Sequence, residues 1–329
     1  MSSSIGDLMW AEPTNIVHNT GYTTQTDKPW ARAYPPIENL LVHSSVLGDG
    51  NTYANFEPAM LPLYDDDVIR LASPAVPPNQ RVWRLDTEAD CELWFHTEIS
   101  NVVLAAWNEC REITQSSHIK PPSVDRISEE VDSTYTVKLN MDRTVLVIGE
   151  MKRNLLRNDW WQKGDLGSAP GQAKLSKELR GYADKSQCPQ VFCFDGATLL
   201  LLQFRANRPE DIKDARRPVD CWALPTSSSK APLRYALYRL LVQGFRRFQG
   251  MCAMPISVGG LTPLGRQFFN GLPVWKSEVD GAEVAVVDHP GGYQRSVDAE
   301  SGAVKWTHPD DADDVVWETP ALWGGYGQE

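Results

Sequence analysis

The residues whose chemistry is easiest to name sit on one predicted hairpin. The segments TYTVKL and RTVLVIGEMKR flank Asn140, Met141 and Asp142, and β-branched and apolar runs around a polar turn read as paired strands. With those three residues as the loop, Leu139 pairs with Arg143 and Asp132 falls opposite Glu150. Directly opposed residues have Cβ atoms ~4.5–5.5 Å apart, and two carboxylates that close repel unless a cation lies between them. Two carboxylate oxygens, with water completing an octahedral shell, suit Mg²⁺ or Mn²⁺. Lys152 lies two residues beyond Glu150 and so on the same strand face. There its ammonium can orient a metal-bound water and stabilise charge building on a phosphate. Asp132, Glu150 and Lys152 together are a minimal kit for metal-assisted phosphodiester hydrolysis. Asp125 is a rival aspartate, but it needs a longer excursion to reach Glu150 than a hairpin partner does.

Several elements must hold this hairpin. Asp86 to Arg111 places Phe95, Ile99, Val102, Val103, Ala106 and Trp107 at helical spacing, so one helix face belongs to the core. GQAKLSKELRGYAD, residues 171–184, reads as a helix opened by Pro170-Gly171. PQVFCFDGATLLLLQF reads as two strands across Asp195-Gly196. The unbroken runs VLVIG and TLLLLQF have the character of strands buried on both faces. Lys230 to Phe248 is a further amphipathic helix, and YQRSVDAESGAVKWTHP a further hairpin. Residues 1–84, rich in Pro, Asn, Asp and Gly, read as an irregular extension with one short helix near PIENLLVHSSVL. Residues 85–256 then form the core, and residues 257–329 an acidic, Trp-rich β extension. This order predicts an α/β (α+β) fold, a mixed central sheet flanked by helices.

Asp132, the hairpin and the strand ending in Glu150-Met151-Lys152 resemble the D…(D/E)-x-K signature of the PD-(D/E)XK nuclease superfamily. VLVIGEMKR and the following KELRGYADKSQCPQVFCFDGATLLLLQFRA are similar to fungal members of that superfamily. The resemblance spans roughly residues 85–250 and implies a restriction-endonuclease-like fold around a mixed four-stranded sheet. It implies that Asp132 and Glu150 ligate Mg²⁺ or Mn²⁺, that Lys152 positions the attacking water, and that Glu98 completes the metal shell. It also makes Arg153, Gln172, Lys177 and Arg180 candidate contacts to nucleic acid, with DNA favoured over RNA. The family's Gln-x-x-x-Tyr feature is only half present, because Tyr182 is preceded four residues earlier by Glu178. Val131 stands where many relatives carry proline.

Charge bears on the partner. The chain has 329 residues and a net charge of −11. Glu278 to Glu329 holds twelve acidic residues against two basic ones, which leaves the preceding residues close to neutral. KAPLRYALYRLLVQGFRRFQG carries Arg234, Arg239, Arg246 and Arg247 with no acid. Such a stripe reads as a phosphate-contacting or a solvated helix face. The six cysteines form no C-x-x-C pair, which excludes a cysteine zinc site or disulfide framework. No histidine pair has the H-E-x-x-H spacing, and nucleotide-binding glycine loops and a G-x-S-x-G elbow are missing. Trp160-Trp161 read as core anchors or as a stacking cap on the site. No run reaches the ~20 apolar residues of a membrane span, and the N-terminus has no secretory pattern. These features predict an intracellular protein of the cytoplasm or nucleus. The alternative to a nuclease is an inactive nuclease-fold interaction module, engaging a protein partner through the acidic C-terminal region.

Overall fold

Strand-forming apolar runs recur between Val131 and Pro225, and they assemble into one sheet with two strands from earlier in the chain. The computed structural model describes residues 3–79, 81–108, 113–119, 130–139, 142–227, 229–252, 256–257, 263–267, 274–277, 279–284, 292–298 and 301–317. Its centre is a seven-stranded mixed sheet. In chain order the strands are β1 (Leu40–Val42), β2 (Ile113–Ile119), β3 (Val131–Leu139), β4 (Asp142–Met151), β5 (Gln190–Phe194), β6 (Thr198–Phe204) and β7 (Val219–Pro225). Across the sheet they lie β1-β7-β6-β5-β4-β3-β2. The β4–β5 and β7–β1 pairs are parallel and the rest antiparallel.

Four helices bear on the end of β4 and its support: α1 (Asp65–Ala72), α2 (Glu88–Trp94), α3 (Pro170–Lys185) and α4 (Leu233–Cys252). The chain after α2 continues as a π-helical turn, Phe95–Ser100, and an α-helical turn, Asn101–Leu104. Alternation along the strands sorts side chains between two cores. Val191, Cys193, Leu200 and Leu202 pack with Leu175 and Leu179 of α3. Phe192, Phe194, Leu199 and Leu201 face the other way, against Phe95, Ile99 and Val103 and against Leu237, Leu241 and Phe245 of α4. A sheet covered on both faces explains why TLLLLQF shows no polar alternation. The expected apolar face at Phe95, Ile99, Val102, Val103, Ala106 and Trp107 is buried throughout.

The hairpin departs from its expected register and then recovers it. Asp142 pairs with Leu139, so the loop is residues 140 and 141, two residues rather than three, and both lie outside the described residues. Leu146 is an extra residue between the pairs Val145–Thr136 and Val147–Tyr135, a β-bulge that shifts the register by one. Gly149 consequently stands opposite Ser133, the last pair of the ladder, and one further step in the same register would match Glu150 with Asp132. The bulge is received by α4. Arg247 donates to the carbonyls of Val145 and Leu146, and Gly244 lets the helix approach so closely that a Cβ there would stand 2.4 Å from the Leu146 oxygen.

Three expectations are corrected. PIENLLVHSSVL is not helical: it contributes β1 on the free edge of β7 and the strand Ser44–Val46. The described residues before residue 85 supply strands, a helix and buried side chains to the fold rather than forming an irregular appendage. The α4 arginines neither contact phosphate nor reach into solvent, because each is buried and engaged within the chain. Arg234 donates to the carbonyls of Leu8, Ala11 and Glu98, Arg239 to that of Leu61, and Arg246 to the carboxylates of Asp66 and Asp67 on α1. A buried guanidinium needs acceptors within the protein, and the N-terminal residues supply several of them. In the C-terminal region the expected hairpin is present as Gln294–Val297 paired with Val304–His308. Its Val297 amide donates to Asp65 of α1 at 2.6 Å. Among the described residues no helix is long and apolar enough to cross a membrane.

Candidate active site

Strand β4 ends at Met151, and the residues about its end form a buried cluster of three acids and one amine. Glu150 and Lys152 project toward α3, as their spacing predicts. The Lys152 ammonium donates to Glu150 Oε1 and, at 3.2 Å, to Glu178 Oε1 of α3. Glu178 Oε2 accepts from the hydroxyl of Thr26. On the other side of β4, Asp132 Oδ2 accepts from the Met151 amide at 2.6 Å. The β3–β4 pairing ends at Gly149, and this side chain takes the amide that a ladder carbonyl would otherwise accept. Glu150, Lys152 and Glu178 retain 3%, 2% and 0% of their exposure. Glu150 Oε2 is buried and has no hydrogen-bond partner.

Burial and charge shift the protonation of these groups in identifiable ways. Burial raises the Asp132 carboxyl to about 6, against the opposing pull of the Met151 amide and the Lys152 charge. Burial raises Glu150 well above the carboxylate range, and the neighbouring charges of Asp132 and Glu178 act in the same direction. Burial works against the Lys152 ammonium, but Glu150 and Glu178 outweigh it and hold the proton on the amine. Burial also raises Tyr182, helped by Glu150 and Glu178. Three acids around one amine thus favour one more positive charge in the cluster, whether a proton or a cation.

A half-exposed histidine stands beside Asp132. His118, with its side chain 54% exposed, places Nδ1 3.6 Å from Asp132 Oδ1 and Nε2 2.9 Å from Glu92 Oε2. The His118 backbone is left-handed, with φ at 51°, a conformation that costs a non-glycine residue energy. His96 lies 3.2 Å from the other Glu92 oxygen.

The residues expected at the site fare differently. Glu150 and Lys152 form an ion pair, and Asp132 lies near enough to act electrostatically on Glu150 and to feel the Lys152 charge. Glu98 belongs to another group: it accepts from Asn15 and Trp83 at 3.1 and 3.2 Å and lies 3.9 Å from the Arg234 guanidinium. Its carboxylate secures the N-terminal segment to α4, which corrects its expected role in the metal shell. Arg153 and Arg180 are buried and spend donors on backbone carbonyls, of Leu85 and Asn19 and of Ile212 and Asp214 respectively. Gln172 accepts from the Arg157 amide and the Trp161 indole and donates to Leu155. These three are corrected from nucleic-acid contacts to internal braces, since each is buried and bonded within the chain. Lys177 is partly exposed. Trp161 is core and Trp160 half-buried under Lys163, while Asp125 lies outside the described residues.

Glu178, Thr26 and His118 were not assigned to the site from the sequence. Glu178 had a usable signal, because it shares the Leu175–Leu179–Tyr182 face of α3 and an acid on a buried face needs a partner. Thr26 had none: its bond to Glu178 spans 152 residues. Among the described residues no three His, Cys, Asp or Glu side chains form a group able to hold a metal ion. The chain matches no protein-family model, no curated protein and no solved structure.

Proposed function

We propose that this protein is a divalent-metal-dependent phosphodiesterase of the PD-(D/E)XK nuclease type, with DNA the favoured substrate. The observation that carries the reading is the buried, unpartnered Oε2 of Glu150 beside Asp132 and the Lys152 ammonium. An orphaned carboxylate oxygen fits a hard cation, and Asp132 and Glu150 would hold Mg²⁺ or Mn²⁺, with water or substrate oxygens completing the shell. When bound, the cation would neutralise phosphate charge and acidify a water molecule. Lys152 carries a fixed positive charge toward the same space, Glu178 keeps that ammonium aimed, and Asp132 braces the strand end through the Met151 amide. The supporting pattern is the meeting of D, E and K at one strand end with a flanking helix.

One observation favours the second reading, an inactive interaction module of the same fold. Lys152 is engaged by two carboxylates and the group is almost wholly buried, an arrangement that also serves as a structural brace. Calorimetric titration of Mn²⁺ into the full chain, followed by a cleavage assay on single- and double-stranded DNA, separates the two. Wild type should bind and cleave. Asp132→Asn and Glu150→Gln should lose metal binding, and Lys152→Ala should bind but cleave at least ~100-fold more slowly. A wild type that binds no Mn²⁺, with or without DNA, would sink the hydrolytic reading in favour of the module.

A further inference from the structure

One short segment of the chain crosses the end of β4 and bonds to Glu178 of the buried cluster. Residues 19–28, NTGYTTQTDK, contain no aliphatic side chain and no regular secondary structure. They cross the exit of β4 on hydrogen bonds and an ion pair. The Thr24 amide donates to the Arg153 carbonyl, and the Arg153 amide donates back to Thr24 Oγ1, both at 2.9 Å. Asn154 Nδ2 donates to the carbonyls of Asn19 and Tyr22 at 2.9 and 2.6 Å. Thr26 donates to Glu178, and Asp27 pairs with the exposed Lys174 at 3.2 Å.

Firm attachments lie at both ends of this segment. Before it, Ile16–His18 pairs with Trp83–Leu85. After it, Trp30 stacks edge-on against Tyr182 at 4.9 Å, over Gly181, whose missing Cβ leaves room for the ring. Between the anchors these polar bonds are ones that water can replace, and each contributes only ~0.5–1.5 kcal/mol net. The core strands on either side are held by apolar burial that water cannot replace. Segments that open locally are those with few apolar contacts and exposed backbone bonds.

We propose that residues 19–28 form a hinged strap, closed here over Glu150, Lys152 and Glu178, whose lifting controls entry of cation and phosphate. The name of what enters rests on the hydrolytic reading, whereas the opening itself does not. The clasp is Asn154, in a left-handed backbone conformation with φ at 49°, and Gly21 near the strap's outer end keeps the crossing short of side chains. Lifting frees Thr26 from Glu178, and with it the carboxylate that holds Lys152 against Glu150.

The test is residue-resolved hydrogen exchange on the full chain, with and without MnCl₂, for wild type, Asn154→Gly and Thr26→Val. Glycine accepts the left-handed backbone, so the first variant removes the clasp without strain. The amide of Arg153 is protected by the strap, whereas that of Lys152 donates to Phe194 in the sheet at 2.8 Å. Thr24 and Arg153 should therefore exchange about tenfold or more faster than Lys152 in wild type, and about fivefold faster again in either variant. Arg153 exchanging in step with Lys152 in all three proteins overturns the strap, even if Mn²⁺ binds and DNA is cut. Fast exchange at Arg153 with no response to Mn²⁺ and no cleavage upholds the strap and retires the hydrolytic reading.

Discussion

Asp132 is the residue whose titration tells most about the site. Its carboxyl stands at about 6 because burial disfavours the charged form, and the ordinary value is 3.8. Between those two values the native protein keeps a proton that the unfolded chain has lost. Stability is therefore full below pH 3.8 and falls as pH rises through about 6, by on the order of 3 kcal/mol for a shift of this size. Urea denaturation of the metal-free protein between about pH 4 and pH 7 should show this loss in wild type, and a flatter profile in Asp132→Asn. Equal slopes would mean that the carboxyl is solvated. The same proton competes with any cation at Asp132, which sets the direction for metal affinity: weaker below pH 6.

The bulge in β4 decides what the hairpin presents. With the two-residue loop alone, the pairing would place Asp132 opposite Gly149, one residue out of step with Glu150. Leu146 absorbs that step, and α4 receives it through Gly244 and Arg247. Gly244→Ala puts a methyl 2.4 Å from the Leu146 carbonyl oxygen, so helix or bulge must move. The expected cost is ~1–3 kcal/mol, read as a lower unfolding midpoint, together with loss of Mn²⁺ binding out of proportion to the loss of stability. A variant destabilised by this much that still binds Mn²⁺ normally would show that the bulge does not align the two acids.

The whole molecule is knitted from its N-terminal residues inward. Arg246 is held by Asp66 and Asp67, Arg234 by the carbonyls of Leu8 and Ala11, and the edge of β7 by β1. Breaking a buried ion pair from one side costs ~3–5 kcal/mol, which is a large share of a domain's total stability. A chain beginning at residue 85 loses all of these partners at once. It should fail to unfold cooperatively in denaturant and should be degraded at limiting protease, whereas the full chain resists. A cooperative, protease-resistant fragment 85–256 would show that the core folds by itself.

What could be read along the chain was whatever depends on near neighbours. The β3–β4 hairpin, α3, the β5–β6 turn at Asp195-Gly196 and the core face of the helix that includes Phe95 follow from periodicity and turn residues. So does the meeting of Glu150 with Lys152, since a strand's period of two fixes it. Ser133 arrived opposite Gly149, in the expected register, although the loop was one residue shorter than expected, because side-chain burial constrains register more strongly than loop length does. The tertiary structure alone decided the partners of buried charges. An arginine helix looks the same in sequence whether it meets phosphate, water or an acid 180 residues away. Glu98 and Glu178 are both acids on buried helix faces. Which of them reaches Lys152 depended on which helix packs over the end of β4, and the Coulomb energy of that choice is set by distances that no local pattern encodes.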